Sequence, residues 1–187
     1  MTLLEMKRKV LSLIEELNDK SDYLTDDPDI RAKINSVINQ VLFELARMKK
    51  IPKFVEFKVK ENELINYDRL EKESTYQVYQ INLVEGVDYE FKAQGTVVKA
   101  LESGIMGVDF FAYPERITEK TNDKAYEFEL SDDALEIMPY GVAADLLKSD
   151  ISANYGNEYA VRYENMKNEL DPRYNMLSVN VEGGVDI

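Results

Sequence analysis

The stretch KFVEFKVK, residues 53–60, marks the point at which the periodicity of the chain changes. Large apolar side chains recur at every second position from 55 to 59, which is the period of a β-strand. The helical pattern before it stops near Ile51, because Pro52 disfavours helical backbone at the residue that precedes it. Helical periodicity on one side of this point and strand periodicity on the other predict a protein of the α+β class.

Two amphipathic helices are predicted upstream of this stretch. Thr2 and Glu5 form a capping box at the start of the first helix, which is expected to end near Asn18. Asp27 and Pro28 supply the N-cap and first residue of the second. Apolar residues follow at helical spacing, namely Leu3, Met6, Val10, Leu13, Ile14 and Leu17 in the first helix and Ile30, Ile34, Val37, Ile38, Val41, Leu42 and Leu45 in the second. Such stripes need packing partners, so both helices are expected to join a core.

Downstream, short aromatic and β-branched runs continue to about residue 130. The runs are STYQVYQINL, VDYEFKAQG, TVVKAL, GVDFFAY and KAYEFEL. Polar or glycine-containing stretches separate them, which is typical of antiparallel strands in a sandwich or a compact sheet. Residues 51–130 are therefore predicted to form a β insertion in a helical protein.

Helical periodicity returns in residues 131–171. Pro139 is predicted to break or restart the first helix of this segment near its N-terminus. A turn is predicted at ANYGN, residues 153–157, before a last helix. We interpret Gly141 and Gly156 as helix breakers in the connections between helices.

Tyrosines of the last helix are the most conspicuous aromatic residues in this part of the chain. Tyr159 and Tyr163 share its apolar stripe with Met166 and Leu170, and Tyr155 precedes them by one turn. A tyrosine stripe at helical spacing is more typical of core or interface packing than of a ligand site.

These patterns combine into one fold prediction: an antiparallel helical bundle core with an inserted antiparallel β-sandwich-like domain and an extended C-terminal arm. Its segments are the first part of the helical core at 1–50, the β insertion at 51–130, the second part of the helical core at 131–171, and the arm at 172–187.

The arm has the alternation of a strand. Leu177, Val179 and Val181 alternate with polar residues, and a glycine pair separates them from Val185 and Ile187. An alternating segment can add a strand to a partner's sheet. A frayed terminus explains the same residues equally well.

Composition excludes several kinds of chemistry. The chain has no Cys and no His, so disulfides, thiolate nucleophiles, Ser-His pairs and Cys or His metal sites cannot be built from it. The acidic run LTDDPD differs from a calcium loop because Pro28 interrupts the ligand series and no turn glycine follows. The charge of −13 predicts that the bulk surface repels nucleic acid. We expect no enzyme activity, no cofactor, no metal site and no membrane span.

Two alternatives remain open from the residues alone. The first is a β-sandwich module that binds protein or glycan, in which Tyr76, Tyr79, Tyr89 and Tyr113 would stack on sugar. The second is a carboxylate-based hydrolase, because Asp and Glu are abundant, although sequence cannot place two of them across a substrate.

Three segments of the chain resemble tailed-bacteriophage head–tail connector proteins, the adaptors that bind beneath the portal. They lie between Phe110 and Leu170 and read AYPERIT, YEFELSDDALEIMPYGVAADLL and YGNEYAVRYENM. The pair of N-terminal helices followed by a β insertion also looks like one branch of that family.

The resemblance implies a structural virion protein that is made in the bacterial host cytoplasm and placed at the neck of the particle. Its partners would be copies of itself in a ring, usually a dodecamer, together with the portal protein and a tail or neck protein. DNA would pass through the bore without sequence-specific binding. The arm at 172–187 would dock on the portal through Leu177, Val179, Val181, Val185 and Ile187. Tyr155, Tyr159 and Tyr163 would lie at subunit interfaces.

Overall fold

The computed structural model describes residues 1–148 and 154–170. Over these residues it contains five α-helices and six β-strands, which confirms the α+β class. In chain order they are α1 Leu3–Leu13, α2 Pro28–Lys49, β1 Ile51–Val59, β2 Leu64–Ile65, α3 Tyr67–Ser74, β3 Val78–Glu85, β4 Tyr89–Lys92, β5 Val97–Ala100, β6 Gly104–Ala112, α4 Asp132–Leu147 and α5 Asn154–Glu169.

The strands form two antiparallel three-stranded sheets. The larger sheet has the order β1-β6-β3, and the smaller has the order β2-β5-β4. In the larger sheet Ile51 lies opposite Ala112 and Val59 lies opposite Gly104, so the two ends of the strand region are adjacent. Side chains of both sheets and of α3 share one hydrophobic cluster, composed of Phe57, Val59, Ile65, Leu70, Val78, Ile81, Val84, Val87, Val98, Ala100, Met106, Val108, Phe110 and Ala112.

The predicted antiparallel helical bundle core with an inserted sandwich-like domain is wrong. In the structure α4 is the central helix and packs against α1, α2 and α5. Most of its 16 residues are buried, whereas a helix in a bundle keeps one polar face in water. The core around α4 also includes side chains from outside the helices, at Ile51, Ile117, Phe128 and Leu130.

The predicted strand KAYEFEL, residues 124–130, is also wrong. The segment makes one isolated bridge, between Glu127 and Thr2, and otherwise runs along the start of α1. The Leu3 amide donates to the Tyr126 carbonyl over 3.0 Å, and the Phe128 amide donates to the Met1 carbonyl over 3.2 Å. These hydrogen bonds attach the segment to the helices.

The sequence predicts that proline and glycine interrupt the helices, but in the structure they do not. The helix α4 continues through Pro139, which lies in its interior. Burial on several sides compensates for the backbone hydrogen bond that proline removes. Gly141 and Gly156 lie inside α4 and α5, so the turn predicted at 153–157 is helical from Asn154 onward.

Local signals at the N-terminal helices are confirmed. The Thr2 and Glu5 capping box is formed, and the Asp27 carboxylate accepts from two amides of the first turn of α2. The first helix ends at Leu13 rather than near Asn18, and Glu15 just beyond it has a φ of 62°. The predicted arm at 172–187 lies outside the described residues.

Candidate functional site

Tyr163 is buried between α4 and α5, with only 6% of its surface exposed. A Cβ atom placed on Gly141 would lie 2.8 Å from the Tyr163 ring, so the glycine makes room for the aromatic side chain. Burial raises the pKa of the Tyr163 hydroxyl, and the negative charge of Glu44 raises it further. Tyr163 therefore offers little surface to a second subunit.

Tyr159 joins α5 to the end of α1. Its hydroxyl donates to the Leu13 carbonyl over 2.6 Å, which satisfies one of the carbonyls left unpaired at a helix end. Its ring centroid lies 6.3 Å from that of Tyr140. Tyr155 belongs to α5, but its side chain lies outside the described part of the structure. On the outer face of α5, Val161 is 61% exposed.

The four tyrosines of the glycan-binding alternative do not form a single platform. The ring centroids of Tyr79 and Tyr113 lie 5.2 Å apart in an edge-to-face arrangement. Tyr113 also stacks on Phe43, with 5.8 Å between the ring centroids. The Lys53 ammonium nitrogen lies 4.1 Å from the centroid of the Tyr76 ring. Tyr89 belongs to the smaller sheet and contacts Phe91. Each ring thus already has an aromatic or cationic neighbour.

A groove of about 480 Å³ lies between α2 and the segment that follows β6. We call it the cationic groove, and its lining residues are Ser36, Asn39, Gln40, Phe43, Glu44, Arg47 and Arg116. One amide side chain holds its two walls together: Asn39 donates to the Ile117 carbonyl over 2.7 Å and accepts from the Ile117 amide over 2.8 Å. This pair of bonds places Arg116 opposite α2.

The charge of this groove is positive although the chain as a whole is acidic. Arg116 stacks over the Phe43 ring at 5.3 Å, and Arg47 is exposed. Neither guanidinium group forms an ion pair with the described residues. The carboxylate of Glu44 is bound by Lys167 over 2.8 Å, and the same ammonium group also binds Glu164 over 2.5 Å, so Glu44 is already engaged within the chain. Two arginines are therefore available to an anionic partner.

A second exposed surface lies on the larger sheet, on the side away from its hydrophobic cluster. We call it the open sheet face, and its residues are Phe54, Glu56, Lys58, Glu85, Ile105, Gly107 and Asp109. Phe54 is 50% exposed and Ile105 is 56% exposed. A Cβ atom on Gly107 would lie 3.0 Å from the Phe54 ring, so the ring leans across the glycine. The open sheet face carries three carboxylates, Glu56, Glu85 and Asp109, and one lysine, Lys58.

Sequence reasoning missed both surfaces. No sequence pattern assigns Arg47 to a site, and Arg116 stands out only as part of the AYPERIT segment. Phe54 did carry a signal, because it occupies a position of β1 that alternation assigns to the solvent side. An aromatic residue on that side exposes apolar surface.

A cleft of about 990 Å³ between α1, α2 and the 119–124 segment is a weaker candidate. Lys7 pairs with Asp123 at 2.7 Å, Arg8 pairs with Asp19 at 3.1 Å, and Arg31 stacks on an aromatic ring. These three cations are thus engaged within the chain.

Within residues 1–148 and 154–170, no group of three or more acidic side chains is arranged to hold a metal ion. No helix in the same part of the chain is long and apolar enough to cross a membrane. No protein-family model matches the chain, and no curated protein has significant similarity to it.

Proposed function

We propose that the chain is a structural subunit of a tailed-phage head–tail connector. It acts by binding copies of itself in a ring beneath the portal and joins the capsid to the tail. The observation that carries this proposal is the presence of two different exposed surfaces on one subunit, the cationic groove and the open sheet face. A contact between two different surfaces repeats head to tail and closes into a ring when the rotation allows it.

The resemblance to connector proteins supports the same assignment. Its strongest stretch, residues 110–170, covers the end of β6, the segment attached to α1, the central helix α4 and the helix α5. These elements build the core around α4, and Arg116 of the cationic groove lies in the same stretch. The likeness therefore concerns the packing centre of the protein and one residue of the cationic groove.

The charge of the chain suits a channel for DNA. With a formal charge of −13, a ring of these subunits repels phosphate from most of its surface. The duplex then gains no counterion-release free energy on contact and passes without being held. Weak or absent retention of duplex DNA at low salt, measured by electrophoretic mobility, is the corresponding expectation.

The proposed docking arm lies outside the described residues, with Leu177, Val179, Val181, Val185 and Ile187 as its contact side chains. Alternating apolar residues can pair with a partner's sheet edge, and many arms on one ring multiply a weak contact. The arm therefore gives a direct test of portal binding.

The test is co-sedimentation with purified portal rings of the phage or prophage that encodes the chain. We expect full-length protein to sediment with the portal, and protein lacking residues 174–187 to remain in the supernatant at unchanged thermal stability. A full-length variant with Leu177, Val179 and Val181 changed to Ser is the matched control for length. Equal binding by all three proteins removes the arm from the mechanism, and no binding by any of them contradicts the proposed function.

A further inference from the structure

We propose that the cationic groove of one copy receives the open sheet face of the next copy. This inference rests on the proposed ring and names the two surfaces that form its repeated contact. The occupant of the groove is thus a second copy of this chain, and the contact is heterologous, because the groove and the sheet face are different parts of the subunit.

Charge complementarity is the first argument. Arg47 and Arg116 present two guanidinium groups that form no ion pair among the described residues. The open sheet face presents the exposed carboxylates of Glu56 on β1 and Glu85 on β3, one on each side of Gly107 on the central strand β6. Guanidinium and carboxylate groups pair in a two-pronged geometry that gives direction as well as attraction.

The net charge of the subunit makes such a match necessary for self-association. Two copies that each carry −13 repel one another over most approaches. Only an approach that brings arginines of one copy against carboxylates of the other reverses the sign locally. Complementary potentials of this kind select the register of an interface and suppress other approaches.

Apolar side chains supply the second argument. Phe54 and Ile105 are each at least half exposed on the sheet face, and they flank a glycine that adds no side chain of its own. The groove offers the partly exposed ring of Phe43, over which Arg116 is stacked. Aromatic and arginine side chains at the centre of a contact, with charged groups around them, have the composition of protein interfaces.

The chain's own helices do not cover the sheet face. At the end of β1 and β6 nearest the helices, Phe111 lies on this face and is buried, and Lys50 lies over its ring at 4.8 Å. Farther along the same strands, Phe54 and Ile105 are exposed. The uncovered half of the sheet is therefore the half that points away from the helical core.

Charge reversal tests the pairing. One variant carries R47E and R116E and so reverses the groove, and the other carries E56K and E85K and so reverses the sheet face. All four side chains are exposed, and thermal melting of each variant checks that the fold is retained. We expect each variant alone to associate about 100-fold more weakly than wild type in sedimentation velocity, because like charges then face each other.

The mixture of the two variants gives the decisive result. The reversed groove of the first matches the reversed sheet face of the second, and the two unchanged surfaces match as well. An equimolar mixture is therefore expected to assemble with alternating copies, although neither component assembles alone. Association of either variant at wild-type strength, or a mixture that stays dissociated, overturns the inference.

Cross-linking provides a second measurement that detects transient contacts. The chain has no cysteine, so Q40C in the groove and I105C on the sheet face would introduce the only thiols. Oxidation of the double variant is expected to give a ladder of multimers, whereas each single variant gives dimers at most. The exposed pair K20C and K72C is the matched control and should give no ladder.

The two measurements separate this inference from the proposed function. Wild-type rings that persist in both charge-reversed variants, with no ladder from Q40C and I105C, overturn the inference and leave the ring intact. Wild-type protein that stays monomeric at every concentration, together with a Q40C and I105C double variant that gives no ladder, overturns the proposed ring together with the inference.

Discussion

Substitution of Gly141 by alanine tests the packing between α4 and α5. The added Cβ atom would lie 2.8 Å from Cε2 of Tyr163 and 3.0 Å from its Cδ2 and Cζ. These separations are well inside normal carbon–carbon contact, which is about 3.5–4.0 Å. Either the ring or the helix must move.

Two opposing effects set the size of the change. Alanine is favoured over glycine in a helix interior by about 1 kcal/mol. Overpacking of a filled core opposes it by about 1–3 kcal/mol. The larger value applies here, because the Tyr163 ring is buried and packs against Lys167, which is itself bound to Glu44 over 2.8 Å. We therefore expect Gly141→Ala to lower the free energy of unfolding by about 2 kcal/mol, the difference between the larger overpacking value and the gain in helix propensity.

Urea unfolding followed by circular dichroism measures this change, and a second background reveals its cause. In Tyr163→Leu protein the ring is absent, so alanine at position 141 should no longer clash. There the same substitution is expected to be neutral or to stabilise by up to about 1 kcal/mol. If Gly141→Ala is at least as stable as wild type in the native background, the close approach does not limit the packing and the reasoning is refuted.

Three further predictions concern stability. Replacing residues 54–109, whose flanking residues are paired across β1 and β6, with a glycine-rich turn should preserve the helical circular-dichroism signal. Replacing residues 53–129 should abolish that signal, because it removes the buried core side chains of Ile117 and Phe128. Equal signals from both proteins contradict this expectation. Burial raises the pKa of Tyr126 and Tyr163, so the stability they contribute is present below the unfolded tyrosine pKa of about 10 and is lost as the pH rises above it. Phenolate absorbance should show that these two hydroxyls ionise only when the protein unfolds. Their ionisation in the folded protein would show that the two side chains are not buried. Tyr159→Phe removes the hydrogen bond to the end of α1 and should lower the free energy of unfolding, measured by urea titration, by about 1 kcal/mol. An unchanged free energy of unfolding would show that this hydrogen bond does not stabilise the fold.

Features set by neighbouring residues were predictable from the sequence. The Thr2 capping box, the Asp27 N-cap and the alternation of β1 depend on side chains within a few positions of one another. The predicted positions of helix ends were less accurate, because the end of α1 at Leu13 is fixed by the contacts of the segment that follows it. Short elements were missed: α3 has eight residues and buries only Leu70, although Asn66 caps it.

Features set by long-range packing were not predictable. Pro139 and Gly141 usually interrupt helices, but here α4 is surrounded by other elements and its burial outweighs local preference. The cationic groove depends on two hydrogen bonds between Asn39 and Ile117, which are remote in sequence. No spacing rule brings Arg47 and Arg116 together, so this part of the candidate site required the structure.

Electron microscopy of portal rings saturated with this protein tests the central claim most directly. The account predicts an additional ring, coaxial with the portal, in which each subunit contacts its neighbour through the cationic groove and the open sheet face and a central bore remains open. Bound protein without rotational order, or portal rings that carry no added density at saturating concentration, would contradict the claim that this chain is a ring-forming connector subunit.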